Sequence, residues 1–285
     1  MPSTLSTLRL PRLPTFSGFP NHYRYGSSYS TALTIASATL LTVVGILCAP
    51  AAYRDYKKFI SYGPGGPPRN VLGWLAISLL APLQREMLDT AVYDQDIEEL
   101  GEERTWLKDE DLPLRKGPRP EVGTHAAPQR QLTQTPGKEV QEALIKEFLE
   151  IQFNNQNLLN IAPSNLERHT PALFISEVAP RPNPLITSST RGEVAHVHGT
   201  AEHSVHVILS PVDSKKVIEA GWGQRHSLSG STFLRKLVGK KRALYIPNEY
   251  ILIYAPRDEE EIKVVINIVK AAVAFGAGVS TNEIN

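Results

Sequence analysis

A long run without charged side chains is the strongest constraint on this 285-residue chain. No Asp, Glu, Lys, Arg or His occurs from Tyr25 to Tyr53. As a helix, this stretch is long enough to cross a hydrocarbon core of roughly 30 Å. A cleaved signal peptide is the competing interpretation, because Ala49-Pro50-Ala51 supplies small residues, but the apolar part is longer and begins later than a signal normally does. The sequence therefore predicts a retained transmembrane helix over residues 31–53.

Composition changes on both sides of this run. Residues 1–30 are rich in Ser, Thr and Pro and lack acidic side chains, which predicts a poorly ordered basic leader. Residues 54–135 predict a membrane-proximal segment and linker, with a short apolar run at Val71–Leu83 and a proline-rich stretch at Leu112–Pro128. Residues 136–285 are predicted to fold as a separate domain. The boundaries of the chain are thus 1–30, 31–53, 54–135 and 136–285.

Charge and cysteine content exclude some classes of protein. The net charge is +1, which argues against a nucleic-acid-binding protein. The single cysteine, Cys48, cannot form an internal disulfide. The chain is therefore expected to bury one core without disulfide support.

The periodicity of the last 150 residues predicts helices that cover an antiparallel sheet, an α+β fold. The expected order is helix, strand, hairpin, short helix, strand, helix. In the sequence these elements are expected at about Gly137–Phe153, Leu173–Val178, Val194–Leu209, Asp213 (as the N-cap) to Gly221, Tyr250–Tyr254 and Asp258–Gly276.

Five of the eight histidines lie between Arg191 and Gly230. His196 and His198 are two residues apart, so they would leave the same face of a strand. The break at Gly199–Glu202 permits a hairpin, and His206 would then lie opposite or diagonal to the first pair. A turn at Gly221-Trp222-Gly223 is expected to place Gln224, Arg225 and His226 on a loop, where Arg225 and His226 would complete the rim of the histidine pocket.

Three interpretations of the histidines are compatible with this pattern. With Glu193 they can bind a metal, since imidazole suits zinc, iron and copper. They can be structural, or they can transfer protons, because the pKa of imidazole lies close to neutral pH. Arg225 and Arg257 are suited to hold an enolate or a carboxylate. A planar ligand would pack against aromatic side chains such as Trp222, Tyr250 and Tyr254. The basic run Arg235, Lys236, Lys240, Lys241 and Arg242 is expected to be a solvated loop, or to contact anionic lipid headgroups.

Several ordered blocks resemble the fungal luciferase-domain family, whose luminous members oxidise 3-hydroxyhispidin. The blocks are Gly192–His198, Ser204–His206, Gly221–His226 and Ile253–Arg257 with Glu259 and Glu260, preceded by Arg54–Tyr56, Tyr62–Pro64 and Tyr93–Asp94. The resemblance implies a cofactor-free reaction in which the substrate is deprotonated, adds dioxygen and loses carbon dioxide from a peroxide. Ser227 stands where the luminous members carry proline, and residues 231–249 form a longer basic insertion. These departures favour a non-luminous relative.

Together, these observations predict a membrane-anchored enzyme of fungal secondary metabolism. Its substrate is expected to be a planar, enolisable polyketide or pyrone, transformed with dioxygen or by another acid/base step, without metal or cofactor. The protein is expected in the endoplasmic reticulum or another internal membrane. The alternative is a non-catalytic, membrane-anchored domain that binds a lipid or a partner. The predicted catalytic residues are His196, His198, His206, His226, Arg225 and Glu193, and the predicted substrate-binding residues are Trp222, Gln224, Arg257 and Tyr254.

Overall fold

The structure is a computed structural model that describes residues 25–101, 103–231 and 246–285. Most of the predicted leader and most of the basic insertion, including its five Lys and Arg residues, lie outside these ranges. The chain divides into two compact units, Met1–Arg54 and Asp55–Asn285.

One long helix, α1, runs from Tyr25 to Ser61. Its part from Thr31 contains an 18-residue window with a mean hydropathy of 2.2, and it is the one candidate span among the described residues. Large apolar side chains such as Leu41 and Leu47 are more than 70% exposed along it. By length and composition, α1 can serve as a membrane span or as a signal sequence.

The second unit is built on a six-stranded antiparallel sheet, with strand order β1-β2-β3-β4-β6-β5. The strands are β1 Leu159–Pro163, β2 Pro171–Ile175, β3 Glu193–Val197, β4 Val205–Ile208, β5 Gly223–Arg225 and β6 Tyr250–Ile253. The described helices of this unit are α2 Val71–Leu80, α3 Ala91–Leu100, α4 Lys138–Asn154, α5 Pro184–Ser189, α6 Pro211–Glu219 and α7 Glu259–Ala277. The predicted α+β class is confirmed.

One face of the sheet is apolar and packs against α7. Val197, Val205 and Ile253 are fully buried there, together with the apolar side of α7. At the start of α7, the Asp258 side chain accepts a hydrogen bond from the Glu261 backbone at 2.9 Å, as an N-cap should. Since successive strand residues point to opposite faces, His196 and His206 must leave the sheet on the other side.

Three local predictions were wrong. The strand expected to reach Val178 ends at Ile175. The N-cap of α6 is Ser210, not Asp213, because the Ser210 hydroxyl accepts from the Asp213 backbone at 3.1 Å. Residues Gly223–Arg225 are not a loop: they form edge strand β5, where the Gly223 backbone comes so close to Leu252 that an added Cβ would lie 2.6 Å from its carbonyl oxygen.

The segment predicted as membrane-proximal and linker belongs to the second unit from Asp55 onward. Phe59, Tyr62 and Arg130 are buried in it. Helix α2 is apolar but only partly covered, since Leu72 and Leu79 are more than 70% exposed. Loops from this segment lie over the histidine-bearing face of the sheet and thereby close the site described next.

Candidate active site

A hairpin places three imidazoles side by side. Strands β3 and β4 pair in a register that sets His196 directly opposite His206. His198 follows two residues after His196 on the same face. The ring centroids are 5.4 Å apart for His196 and His198, 5.2 Å for His196 and His206, and 5.0 Å for His198 and His206. The predicted three-histidine face is confirmed, and we call these three residues the histidine cluster.

Two carboxylates set the orientation of two of these rings. Nδ1 of His196 lies 2.7 Å from a Glu193 oxygen, and Nδ1 of His198 lies 2.7 Å from a Glu202 oxygen. Glu193 also accepts hydrogen bonds from the Ser164 hydroxyl and the Asn165 backbone. A carboxylate beside Nδ1 keeps the proton there and leaves Nε2 as the acceptor. In His196 and His198, Nε2 is therefore the nitrogen that remains to accept a proton or bind a metal.

The third ring is held by stacking. His206 lies parallel to Tyr250, with 4.5 Å between the ring centroids. Its Nδ1 is buried and has no hydrogen-bond partner among the described residues. His226 lies beyond it, 6.0 Å from His206 between ring centroids. The His226 ring is engaged elsewhere: its Nδ1 accepts from the Leu228 backbone, and the ring bonds the Ala126 backbone.

The histidine cluster opens into a small cavity of about 70 Å³. Its floor is the three imidazoles, with His226 and Tyr250 beside them. Its other walls are Gly65, Gly66, Ala127, Pro128, Gln129, Leu166, Glu167 and Ile246. A water molecule takes up roughly 30 Å³ of the liquid, so the space suits about two waters or one dioxygen molecule.

An ionic network borders the cavity. Arg130 is 2% exposed, and both of its terminal nitrogens bond the carboxylate of Glu167. Its guanidinium also donates to the backbone carbonyl of Pro64 at 2.6 Å and lies 3.6 Å from Glu202. A Glu167 oxygen is 3.9 Å from Nε2 of His198. Arg130 thus links Glu202, which orients His198, to Glu167, which lines the cavity.

Burial has the largest effect on the pKa values of these groups. Loss of hydration lowers the pKa of His198 and of His206 well below the ordinary imidazole value, and the positive charge of Arg130 acts in the same direction. Burial lowers the pKa of His226 to about 4. Burial also raises the pKa of Glu167 and of Glu202, against the opposing effect of Arg130. His198, His206 and His226 are therefore neutral at neutral pH.

Arg225 does not join this site. It lies opposite Ile251 in the register, on the other face of the sheet from His206. One of its terminal nitrogens donates to the Glu86 carbonyl at 2.7 Å. The expectation that Arg225 completes the rim of the histidine pocket was wrong, because β5 is a strand and its alternation turns Arg225 away while keeping His226 inside.

The predicted substrate-binding residues also lie outside the cavity lining. The Trp222 indole donates to the Pro113 carbonyl at 2.6 Å, and the Tyr254 hydroxyl donates to Gln224 at 2.9 Å. Arg257 forms an ion pair with Glu261. These polar groups are paired within the protein, and none of the four residues lines the cavity.

Sequence reasoning missed Arg130, Glu167 and Glu202. Each stands far in sequence from at least one of its partners, and neither strand alternation nor helix periodicity indicates such contacts. A signal existed in the upstream block Tyr62–Pro64, whose carbonyls accept hydrogen bonds from Arg130. That block resembles the family, although it lies far before the histidines.

The fold and this cavity define the class of protein: an α+β protein with a buried, histidine-lined site on one face of an antiparallel sheet. The profile of the luciferase domain matches residues 191–272, which include the whole histidine hairpin. The luciferase of Armillaria mellea is 34% identical over 243 residues, covering 82% of this chain and 85% of the relative. The luciferase of Neonothopanus nambi is 33% identical over 257 residues, covering 87% and 88%. No solved structure matches the chain.

The chain belongs to the luciferase-domain family. The similarity to these luciferases extends well beyond the matched domain, into the upstream segment that supplies walls of the cavity.

Proposed function

We propose that this protein is a luciferase-like enzyme that acts on a small molecule at the histidine cluster. One observation carries the proposal: the cluster is buried, opens into a cavity, and belongs to a chain about one-third identical to luciferases over most of its length. A purely structural role would not require an open space beside three imidazoles.

The proposed substrate class rests on the family resemblance, and the groups present are compatible with it. Neutral imidazoles accept a proton, and the Arg130 guanidinium, paired with Glu167, lies close by. This combination suits a planar, enolisable molecule such as a polyketide or a pyrone. In the proposed first step a base removes the C–H proton. The electron pair of the resulting enolate then forms a C–O bond to dioxygen, and the peroxide anion takes a proton to give a hydroperoxide.

The small size of the cavity limits which substrates can enter without movement of the protein. Pockets for drug-sized ligands usually have volumes of 300–1,000 Å³, whereas this cavity has about 70 Å³. A pyrone would therefore have to displace a wall, while dioxygen fits as the cavity stands. The loop at Gly65 and Gly66 is the wall best suited to this, since it packs only its backbone against the Arg130–Glu167 pair.

The location is part of the proposal. We place the protein in an internal membrane through α1, with residues 31–53 as the span. Support comes from the helix itself, which continues past the small residues at 49–51 into the folded unit as far as Ser61. Cleavage of a signal at those residues would cut a continuous helix.

A substrate screen tests the function. The purified full-length protein is incubated with hydroxypyrones, and oxygen uptake and product mass are followed together. The proposal predicts oxygen consumption in step with a product that contains oxygen from the gas, and an oxygen-independent product would point to another acid/base step. The binding-domain alternative predicts tight binding with no change in ligand mass.

A further inference from the structure

The three imidazoles of the histidine cluster have the arrangement of a metal centre. One potential ligand nitrogen from each of His196, His198 and His206 lies within 4.8 Å of the others, and all three residues are buried. A tetrahedral ion with metal–nitrogen bonds of about 2.0–2.1 Å needs ligand separations of roughly 3.4 Å. Small ring rotations would close that difference. We infer that His196, His198 and His206 together bind one divalent first-row transition metal ion.

The orientation of the rings is the first argument. Glu193 and Glu202 hold Nδ1 of His196 and of His198, each at 2.7 Å. Metal-binding histidines almost always donate their second ring N–H to a carboxylate, a carbonyl or water, which fixes the tautomer and raises the basicity of the ligand. Here two of three rings have a buried carboxylate in that position.

The second argument is the unpaired nitrogen of the third ring. Nδ1 of His206 is buried and has no hydrogen-bond partner among the described residues. Burial makes an unsatisfied polar atom costly. A cation coordinated by this nitrogen would remove that cost.

The third argument is the open side. Three histidines occupy three positions of a tetrahedral ion, and catalytic sites keep the fourth for water or substrate. The cavity lies on this side, and Glu167 lines it with an oxygen 3.9 Å from Nε2 of His198. His226 lines the same cavity but has its ring bonded to backbone groups, so it is not a ligand.

This inference departs from the cofactor-free reaction that the family resemblance implies. It does not depend on the substrate proposed above, because metal binding is measured without substrate. It adds a resident ion to the same site, and a bound ion would make the three imidazoles its ligands, so that the base of the proposed first step would be another group. Zinc, iron, copper and cobalt share the required imidazole chemistry, so the experiment compares them.

The test uses the full-length protein purified in detergent without a metal-affinity step. Elemental analysis should find close to one equivalent of a single transition metal per chain. After chelation, the apoprotein is titrated separately with Zn²⁺, Fe²⁺, Cu²⁺ and Co²⁺ while the melting temperature is recorded. An ion that binds only the folded state raises it. The visible spectrum with Co²⁺ reports coordination directly.

Matched variants locate the ion. His198→Ala and His206→Ala should lose the bound metal and the Co²⁺ spectrum, whereas His169→Ala, at an exposed histidine outside the cavity, should keep both. Glu193→Gln should retain three ligands but bind roughly 10–100-fold more weakly, the usual effect of losing such a partner. If an alanine variant does not fold, His206→Gln and the titration of apo wild type decide the question.

The outcomes separate this inference from the proposed function. Wild type that binds none of the four ions, or a Co²⁺ spectrum unchanged in the His198 and His206 variants, overturns the metal site, even if a pyrone is oxidised. Stoichiometric binding that depends on the three histidines establishes the site, even if no pyrone is consumed.

Discussion

Arg130 is the residue on which the ionic network of the site depends. It bonds Glu167 through two nitrogens, contacts Glu202 and donates to carbonyls at Tyr62 and Pro64. A guanidinium fills this position because its donors are planar and fixed, and an ammonium cannot reproduce them.

We expect Arg130→Lys to lower both stability and turnover, because the charge remains while most of the hydrogen bonds are lost. Glu167→Gln should act through the same contact. In a double-mutant cycle on unfolding free energy, the two changes should therefore be coupled by about 0.5–3 kcal/mol. Strictly additive effects would contradict a direct pair. Arg225→Lys, on the other face of the sheet, is the control and should show no coupling to Glu167.

Glu249 is expected to give the protein a measurable pH dependence. Burial raises the pKa of Glu249 to about 7 from an ordinary 4.5, and the nearby negative charge of Asp96 adds to the effect. The folded protein thus holds this proton over a range where the unfolded chain loses it. The contribution of Glu249 to stability is complete below pH 4.5 and is lost as the pH rises to about 7.

Denaturant unfolding between pH 4 and pH 8 measures this contribution. The difference in unfolding free energy between wild type and Glu249→Gln should change across that window and become flat above it. Glu177→Gln, at an exposed carboxylate, should run parallel to wild type. A constant difference between wild type and Glu249→Gln would contradict the raised pKa.

At the residue scale, the sequence predicted the imidazoles and Glu193, the partner of His196, but not Glu202, the partner of His198. Alternation by two determines which side of a strand His196 and His198 occupy, and this holds whatever surrounds the strand. Arg225 was misplaced because its segment was expected to be a loop, so the alternation rule was not applied to it. Glu202 bonds His198 only because the hairpin turn brings it back, and a turn has no period from which that could be predicted.

At the scale of elements, the loop at Gly65 links the upstream segment to the sheet. A Cβ added at Gly65 would lie 2.1 Å from a terminal nitrogen of Arg130 and 2.8 Å from a Glu167 oxygen. The backbone can approach the ion pair only because this residue has no side chain.

Gly65→Ala should therefore disturb the pair and the cavity wall together. We expect turnover to fall at least about tenfold, which corresponds to about 1.4 kcal/mol, while the circular dichroism spectrum stays that of the wild type. Gly137→Ala is the matched control, since a Cβ there meets no atom within 4 Å. Unchanged turnover in Gly65→Ala would show that this wall does not matter for catalysis.

Long elements with a clear periodicity were predicted more accurately than short ones. Helices α4 and α7 were predicted closely because each carries a long apolar stripe. Strand β1, with five residues, and strand β5, with three, were missed because neither has enough alternation to be distinguished from a loop. They are held by pairing with β2 and β6, which is a tertiary effect.

At the scale of the whole molecule, the main proposal is that α1 anchors the protein in a membrane. We expect the full-length protein to stay with membranes after carbonate washing and to keep an N-terminus upstream of Thr31. Introducing two arginines, Leu41→Arg with Leu47→Arg, should release it, because each charge at the centre of a span costs about 2.5–3.5 kcal/mol. A soluble wild type, or a mature N-terminus near Ala52, would contradict the anchor.

The central claim is that the histidine cluster is where a luciferase-like oxidation takes place, and oxygen consumption in matched variants tests it most directly. With a hydroxypyrone substrate, wild type and His169→Ala should consume oxygen at equal rates. His206→Ala, folded by circular dichroism, should be slower by roughly 10²–10⁴-fold, the usual contribution of an acid/base group. Equal rates in wild type and folded His206→Ala would contradict the account.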